Sequence, residues 1–258
     1  MRGRDRLNPA GGGAPPPAQI TAASGRFPEL SVPTPDVQAS LAFYRKLGFS
    51  LAEVGEARRH PYAVATDGRL CIGLHQLEDF APALTFVKPD LLKHLDRFEQ
   101  LGVEFEIRRL GADVFNELGW RDPGGNAVRF VEARTFSPSK RSPAEQSSCG
   151  YFREIGLPAS DATGSKAHWE RIGFVGMDDN GGLGPHVGCT SDTVDVGLYD
   201  PALLRRPTLI FEVDDLAAAA AAIAASGAGP AARSLVGPTD ALALTAPDGT
   251  PIRIVPGR

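Results

Sequence analysis

Hydrophobic positions change period repeatedly along the chain. A short strand-like run at 29–33 gives way to Val37, Leu41, Tyr44 and Leu47, spaced as one face of a helix. Asp36 is placed to cap that helix and Gly48 to stop it. YAVATDG (62–68) and LCIGLHQ (70–76) then read as strands around an Asp-Gly turn signal. LTFV (84–87) leads into PDLLKHLDRFEQLG, where Leu91, Leu92, Leu95, Phe98 and Leu101 line one helical face. FNELGW, a DPGG turn at 122–125 and NAVRFVEA close the series as a strand pair. The order is strand, helix, strands, helix, strands.

The whole series then recurs. Glu29 to Phe49 repeats without a gap as Glu154 to Phe174, 125 positions on, with Asp36 on Asp161, Ser40 on Ser165 and Gly48-Phe49 on Gly173-Phe174. Further along, Phe86 meets Phe211 and Asp90 meets Asp215. Near the ends the register slips by one, so Pro123 meets Pro247, Gly125 meets Gly249 and Arg129 meets Arg253. A repeat this long is a domain-sized module, not a solenoid unit. The second long helix, DDLAAAAAAIAASG, is nearly all alanine; it keeps its helix propensity but offers little to pack. Two modules are expected, at 27–135 and 150–258, with the cleft between them as the natural place for function.

Composition narrows the partners. The chain has 258 residues, enough for two small domains, and 42% hydrophobic residues, enough for a core in each. The net charge of −4 and the lack of a basic stripe argue against nucleic acid. No apolar run approaches the roughly 18 residues of a membrane span. Cys71, Cys149 and Cys189 are an odd count without a CxxC, which points to a reducing, cytoplasmic setting. Residues 1–26, with NPAGGGAPPPAQ after three arginines, read as a disordered tail, and 136–149 as the inter-module linker.

The residues Glu29, Asp36, Ser40, Phe43-Tyr44 and Leu47-Gly48-Phe49, followed by Asp122-Pro123-Gly124-Gly125-Asn126, resemble the vicinal oxygen chelate superfamily. That superfamily includes glyoxalase I, bleomycin- and fosfomycin-resistance proteins and extradiol dioxygenases. The second module repeats the pattern with Asp161, Ser165, Trp169, Gly173-Phe174 and Pro247-Asp248-Gly249. The resemblance implies an α+β fold of two tandem βαβββ modules whose sheets curl into a cup. It also implies metal-ligand positions at the first residue of the opening strand and in the closing strand after the turn. Here those positions hold Glu29, Glu154, Arg129 and Arg253.

Arginine cannot lose its proton and cannot ligate. A guanidinium about 4 Å from a unit positive charge costs about 4 kcal/mol at an effective dielectric of 20, and a divalent ion doubles that. The quartet therefore reads either as two internal Glu–Arg pairs or as arginines that fork onto a substrate carboxylate or phosphate. Strand alternation places Leu70, Ile72 and Leu74 on the helix side and Cys71, Gly73 and His75 in the cup. In the copy, Asp195, Gly197 and Tyr199 face inward, which makes His75 and Tyr199 symmetry mates. His60 precedes Pro61 in a basic loop, His94 reads as solvated, and His186 falls in a glycine-rich stretch expected to be a flexible hairpin at the rim.

The expected ligand-binding residues are thus Glu29, Arg129, Glu154, Arg253, His75 and Tyr199, with no metal and no other cofactor. The preferred function is small-molecule binding in an inter-module cup. One rival is a lyase, isomerase or dioxygenase with a divalent metal on Glu29, Glu154 and His75. The other is an interaction protein with a vestigial cup. The partner is a small molecule, not nucleic acid or membrane, and the chain is a monomer or homodimer.

Overall fold

The computed structural model describes residues 26–52, 60–78, 80–132, 147–179, 181–237 and 239–257. The expected tail at 1–26, save Arg26 at the start of the first strand, and nearly all of the expected linker at 136–149 lie outside them. Each module resolves into two βαβββ units side by side. In module 1 the first unit is β1 (Arg26–Pro33), α1 (Val37–Lys46), β2 (Ser50–Leu51), β3 (Tyr62–Thr66) and β4 (Cys71–His75). The second is β5 (Ala83–Val87), α2 (Leu95–Gln100), β6 (Ile107–Arg109), β7 (Glu117–Arg121) and β8 (Ala127–Val131). Module 2 repeats this with β9 (Tyr151–Pro158), α3 (Ala162–Arg171), β10 (Val175–Asp179), β11 (His186–Thr190) and β12 (Asp195–Tyr199). It ends with β13 (Thr208–Val213), α4 (Leu216–Ser226), β14 (Ala232–Val236), β15 (Thr239–Thr245) and β16 (Pro251–Pro256).

The two sheets are built alike. Their strand orders are β2-β3-β4-β1-β5-β8-β7-β6 and β10-β11-β12-β9-β13-β16-β15-β14. The opening strands β1 and β5 lie antiparallel at the centre, each flanked by the parallel closing strand of its own unit. Neither eight-stranded sheet closes on itself, so each is an open, curved cup.

The helices begin where short acidic side chains can cap them. Asp36 accepts the backbone N–H groups of Gln38 at 2.8 Å and Ala39 at 3.0 Å, and Asp215 does the same for Ala217 and Ala218. Each such cap contributes about 1 kcal/mol. The expected helix at 90–101 is shorter than its apolar face suggests. Asp90 adopts a left-handed backbone and makes no side-chain cap, and the Glu132 carboxylate takes the Leu91 N–H instead. The first turn, Leu91–His94, is consequently a 3-10 turn before α2 starts.

One hydrophobic core runs through both modules. It joins the helix-side residues of sheet 1, such as Ile72, Leu74, Phe86 and Phe130, to their equivalents Val196, Leu198, Phe211 and Ile254 in sheet 2. Aromatic side chains bridge the modules: Phe49 meets Phe211, and Phe86 meets Phe174. Polar fasteners cross the same boundary. Trp120 Nε1–H donates to His168 Nε2 at 3.1 Å, and Trp169 Nε1–H donates to Asp122 Oδ2 at 3.2 Å. Asn126 Nδ2–H reaches the Pro158 carbonyl at 3.0 Å. The space between the modules is therefore packed. The single inter-module cup of the sequence reading gives way to one cup per module, each on the sheet face turned away from the shared core.

Candidate ligand cups

A β-bulge precedes each opening glutamate. In β1 the register shifts between Arg26 and Glu29 against β5, and in β9 it shifts at the equivalent place against β13. From Glu29 and Glu154 onward the pairing is regular, so both glutamates alternate with the core residues Leu30 and Ile155 and turn to the opposite face. Both are 3% exposed. Each lies across a glycine of the neighbouring strand: a Cβ at Gly73 would overlap the Glu29 carboxylate, and one at Gly197 would crowd that of Glu154.

Both carboxylates are held by one histidine and one tyrosine, but the two have traded strands. In module 1 His75 on β4 meets Glu29 Oε1 at 2.9 Å, and Tyr62 on β3, cross-strand from His75, donates to Oε2. Ser31 adds a third bond to Oε1 at 2.7 Å. In module 2 the tyrosine, Tyr199, stands on β12 and donates to Glu154 Oε1 at 2.5 Å. The histidine, His186, stands on β11, with Nε2 3.2 Å from Glu154 Oε2. Burial works to raise the Glu29 pKa, but the bonds from His75, Tyr62 and Ser31 outweigh it and hold the carboxyl below its ordinary value.

The exchange changes the proton inventory. His75 Nε2 faces Glu29 while its Nδ1 faces His60 Nε2 at 2.9 Å, a nitrogen that can donate. One proton on His75 satisfies both contacts. His186 faces acceptors on both sides, the Gly184 carbonyl at 2.9 Å from Nδ1 and Glu154 at Nε2, so both nitrogens must carry protons. Burial depresses the His186 pKa, and the Glu154 hydrogen bond and charge overcome that and raise it. A raised histidine pKa contributes stability that is full below the unfolded value near 6.5 and is lost as pH rises through the folded value. Chemical melts of the wild type are expected to show a fall in stability above about pH 6.5, and His186→Gln should flatten it.

Module 2 also carries a charge cluster with no counterpart among the described residues of module 1. Arg153 ion-pairs with Asp179, with Glu212 at 3.1 Å and with Glu154 at 3.6 Å. Burial alone would lower its pKa, and the surrounding carboxylates raise it instead. Its counterpart in the repeat is Pro28. These groups line a cavity of about 240 Å³ inside the cup, with Tyr151 and Met177 on its walls.

The closing-strand arginines lie on the same cup face, two strands from the glutamates. Cross-strand rows run Glu29–Thr85–Arg129–Gly119 and Glu154–Ile210–Arg253–Ala243. The expected pairing of glutamate with arginine is replaced in both cups. Arg129 ion-pairs with Glu117 at 3.3 Å and stacks over Phe80 at 4.1 Å, while Glu29 is filled by His75, Tyr62 and Ser31. Phe80 in turn stacks on His75 with centroids 5.0 Å apart. In module 2 the neighbour of Glu154 is Arg153, not Arg253.

The six expected residues thus fall into two sites. Glu29, His75 and Arg129 share the first cup, and Glu154, Tyr199 and Arg253 share the second. The alternative metal set of Glu29, Glu154 and His75 is split between two sheets and does not converge. Nor do the residues present suit a divalent ion. The carboxylate oxygens are taken by tyrosine and histidine donors, and the rows continue through Thr85 or Ile210 into arginine. Among the described residues no three His, Cys, Asp or Glu side chains gather as a metal site.

Sequence reasoning missed Tyr62, His186, Arg153 and Phe80. His186 is 8% exposed at the head of β11, not on a flexible rim. The signal was present: Tyr62 and His186 are separated by the same interval as His75 and Tyr199.

Residues 26–130 match the family model described as the Glyoxalase/Bleomycin resistance protein/Dioxygenase superfamily. Among curated proteins no sequence matches the chain. Among solved structures it is similar to a catechol 2,3-dioxygenase, with a TM-score of 0.55 and 14% identity over 91% of this chain and 88% of that one. It is also similar to a variant of homoprotocatechuate 2,3-dioxygenase from Brevibacterium fuscum, with a TM-score of 0.60 and 17% identity over 93% and 74%. At such identities the likeness establishes the fold alone.

Proposed function

We propose, for a chain that belongs through its first module to the glyoxalase/bleomycin resistance/dioxygenase superfamily, that it binds a small organic molecule in the cup of its second module and holds it with side chains instead of a metal ion. The observation that carries this reading is the cavity of about 240 Å³ beside Glu154. It lies just below the roughly 300–1,000 Å³ of drug-sized ligand pockets, which suits a compact ligand. Its polar wall is preorganised, because Arg153 ties Asp179, Glu212 and Glu154 into one network that need not reorder on binding. Module 1 instead fills its cup with its own His75, Phe80 and Arg129 stack.

A metal-dependent lyase, isomerase or dioxygenase needs three converging ligands and an open position. The donor sets of both cups argue against it. Among the described residues no helix is long and apolar enough to cross a membrane, and Cys71, Cys149 and Cys189 are free thiols. These suit the proposal of a cytoplasmic protein, acting as monomer or homodimer on a small molecule.

Two measurements test the reading. Elemental analysis of protein purified without chelator should find Zn, Fe, Mn, Ni and Co far below one ion per chain. A stoichiometric metal that survives dialysis overturns the metal-free assignment. A small-molecule library screened by thermal melting should yield compounds that raise Tm, since a ligand at 100 times its Kd adds about 2.7 kcal/mol. A silent library would leave the cup without a ligand and favour a protein whose surfaces, not its cups, are used.

A further inference from the structure

The two modules give one arginine two different surroundings. Arg129 of module 1 is complete: the Glu117 carboxylate lies beside it at 3.3 Å, and the Phe80 ring lies against its face at 4.1 Å. Strand register identifies what module 2 puts in those places. Glu117 sits across from Val131, and in β15 the residue before Leu242, itself paired with Ile254, is Ala241. The chain segment that carries Phe80 ahead of β5 corresponds to Leu204 and Arg205 ahead of β13. The carboxylate has become a methyl group, and the ring is gone.

Among the described residues no carboxylate answers the positive charge of Arg253. Its one hydrogen bond among the described residues runs from Nη1 to the Ile252 carbonyl at 3.0 Å. Its Nε is buried without a partner. Burial alone pushes its pKa down, and no carboxylate acts in the other direction. Burying a cation without a counter-charge is unfavourable, and the fold tolerates it here but not at Arg129. The neighbours of Arg253 on the cup face are small. Ala243 lies across from it on β15, and Ala232 lies beyond on β14. Leu183, Leu204, Ile210 and Val255 form a dry apolar cluster in the same cup.

We infer that Arg253 anchors the carboxylate of a planar aromatic acid, a ligand that supplies in one molecule what Glu117 and Phe80 supply to Arg129. The inference rests on the reading that the second cup holds a small molecule. A guanidinium suits both halves of such a ligand. It forks onto a carboxylate through parallel N–H donors, and its flat face takes an aromatic ring. The apolar cluster excludes water, which strengthens the ion pair, and Ala243 and Ala232 set only a methyl group each beside the guanidinium.

Benzoate is the probe, with its neutral isostere benzamide as control, titrated into the full chain by calorimetry and followed by thermal melting. Benzoate should bind and raise Tm, and benzamide should bind far more weakly. Arg253→Gln should weaken benzoate binding by about 30-fold or more, the change expected for truncating one partner of a buried charge pair. The free Arg253→Gln protein should melt no lower than wild type. Ala241→Glu restores the missing carboxylate and should block benzoate from within while circular dichroism stays native. Should that variant fail to fold, Arg253→Gln still decides. Benzoate binding unchanged in Arg253→Gln overturns the inference. So does benzamide binding as tightly as benzoate, although the small-molecule cup would then stand. If neither probe binds while the library finds other ligands, the inference falls alone. If the library is also silent, both fall.

Discussion

Replacing Glu29 with alanine is expected to cost about 3–5 kcal/mol of stability, the range for removing one member of a buried charge-assisted network. Three groups would lose their acceptor at once: the Ser31 hydroxyl, the Tyr62 hydroxyl and His75 Nε2. Urea melts at pH 7 measure the loss directly. A change under about 1 kcal/mol would mean that water substitutes for the carboxylate and that the network is not structural.

The trade of histidine and tyrosine between the modules supplies a sharper control. Tyr62→His and His75→Tyr should each destabilise alone, because each leaves the carboxylate with two like partners in a space shaped for two different ones. Together they rebuild the arrangement that module 2 already uses, and most of the loss should return as a coupling energy in a double-mutant cycle. The pH dependence has a definite sign. The Glu29 carboxyl is held below its ordinary value, so its contribution is full above about pH 4.5 and is lost as pH falls through the folded value. Glu29→Gln should lack that share of the acid limb.

The α+β class, the repeat and the facing of strands β4 and β12 were legible because each rests on local periodicity. Alternation needs only neighbouring residues, and it placed His75 and Tyr199 in the cups correctly. Two things were not legible. The packing of the modules depends on which face of each sheet is buried, and the repeat alone does not say whether the cups look toward or away from each other. The bulky apolar residues on the helix side, Phe86 and Phe211 among them, turn out to be shared by both modules, and that closes the inter-module cleft. The partner of each arginine was also out of reach. Arg129 and Glu117 sit on adjacent strands two residues apart in register, and register is set by the whole sheet. The helix at 90–101 shortened for a local reason that its apolar face did not carry, the left-handed backbone at Asp90.

The boundary between the modules should be as sensitive as the buried glutamates. Trp169 is fully buried, packs edge-on against Phe174 at 4.9 Å and donates to the Asp122 carboxylate of the other module. Trp169→Ala should cost about 3–5 kcal/mol for the cavity, since the side chain is among the largest in the core. Because the core is shared, the loss should fall on both modules in one transition. Two separated melting transitions in the variant would show that each module carries its own stability, and would contradict a single continuous core. A pH experiment isolates the neighbouring fastener. His168 accepts the Trp120 N–H, and burial, then the nearby Arg171 charge, push its pKa down to about 4. The folded protein therefore resists a proton that the unfolded chain takes near pH 6.5. Stability linked to His168 is full above pH 6.5 and falls between there and pH 4, by about 2–3 kcal/mol after allowance for partial solvent screening. His168→Gln keeps an acceptor for Trp120 and removes the titration. Its stability should stay level across that window while the wild type falls. Matching pH profiles for the two proteins would show that burial does not hold the His168 pKa down and that the folded chain takes the proton as readily as the unfolded one.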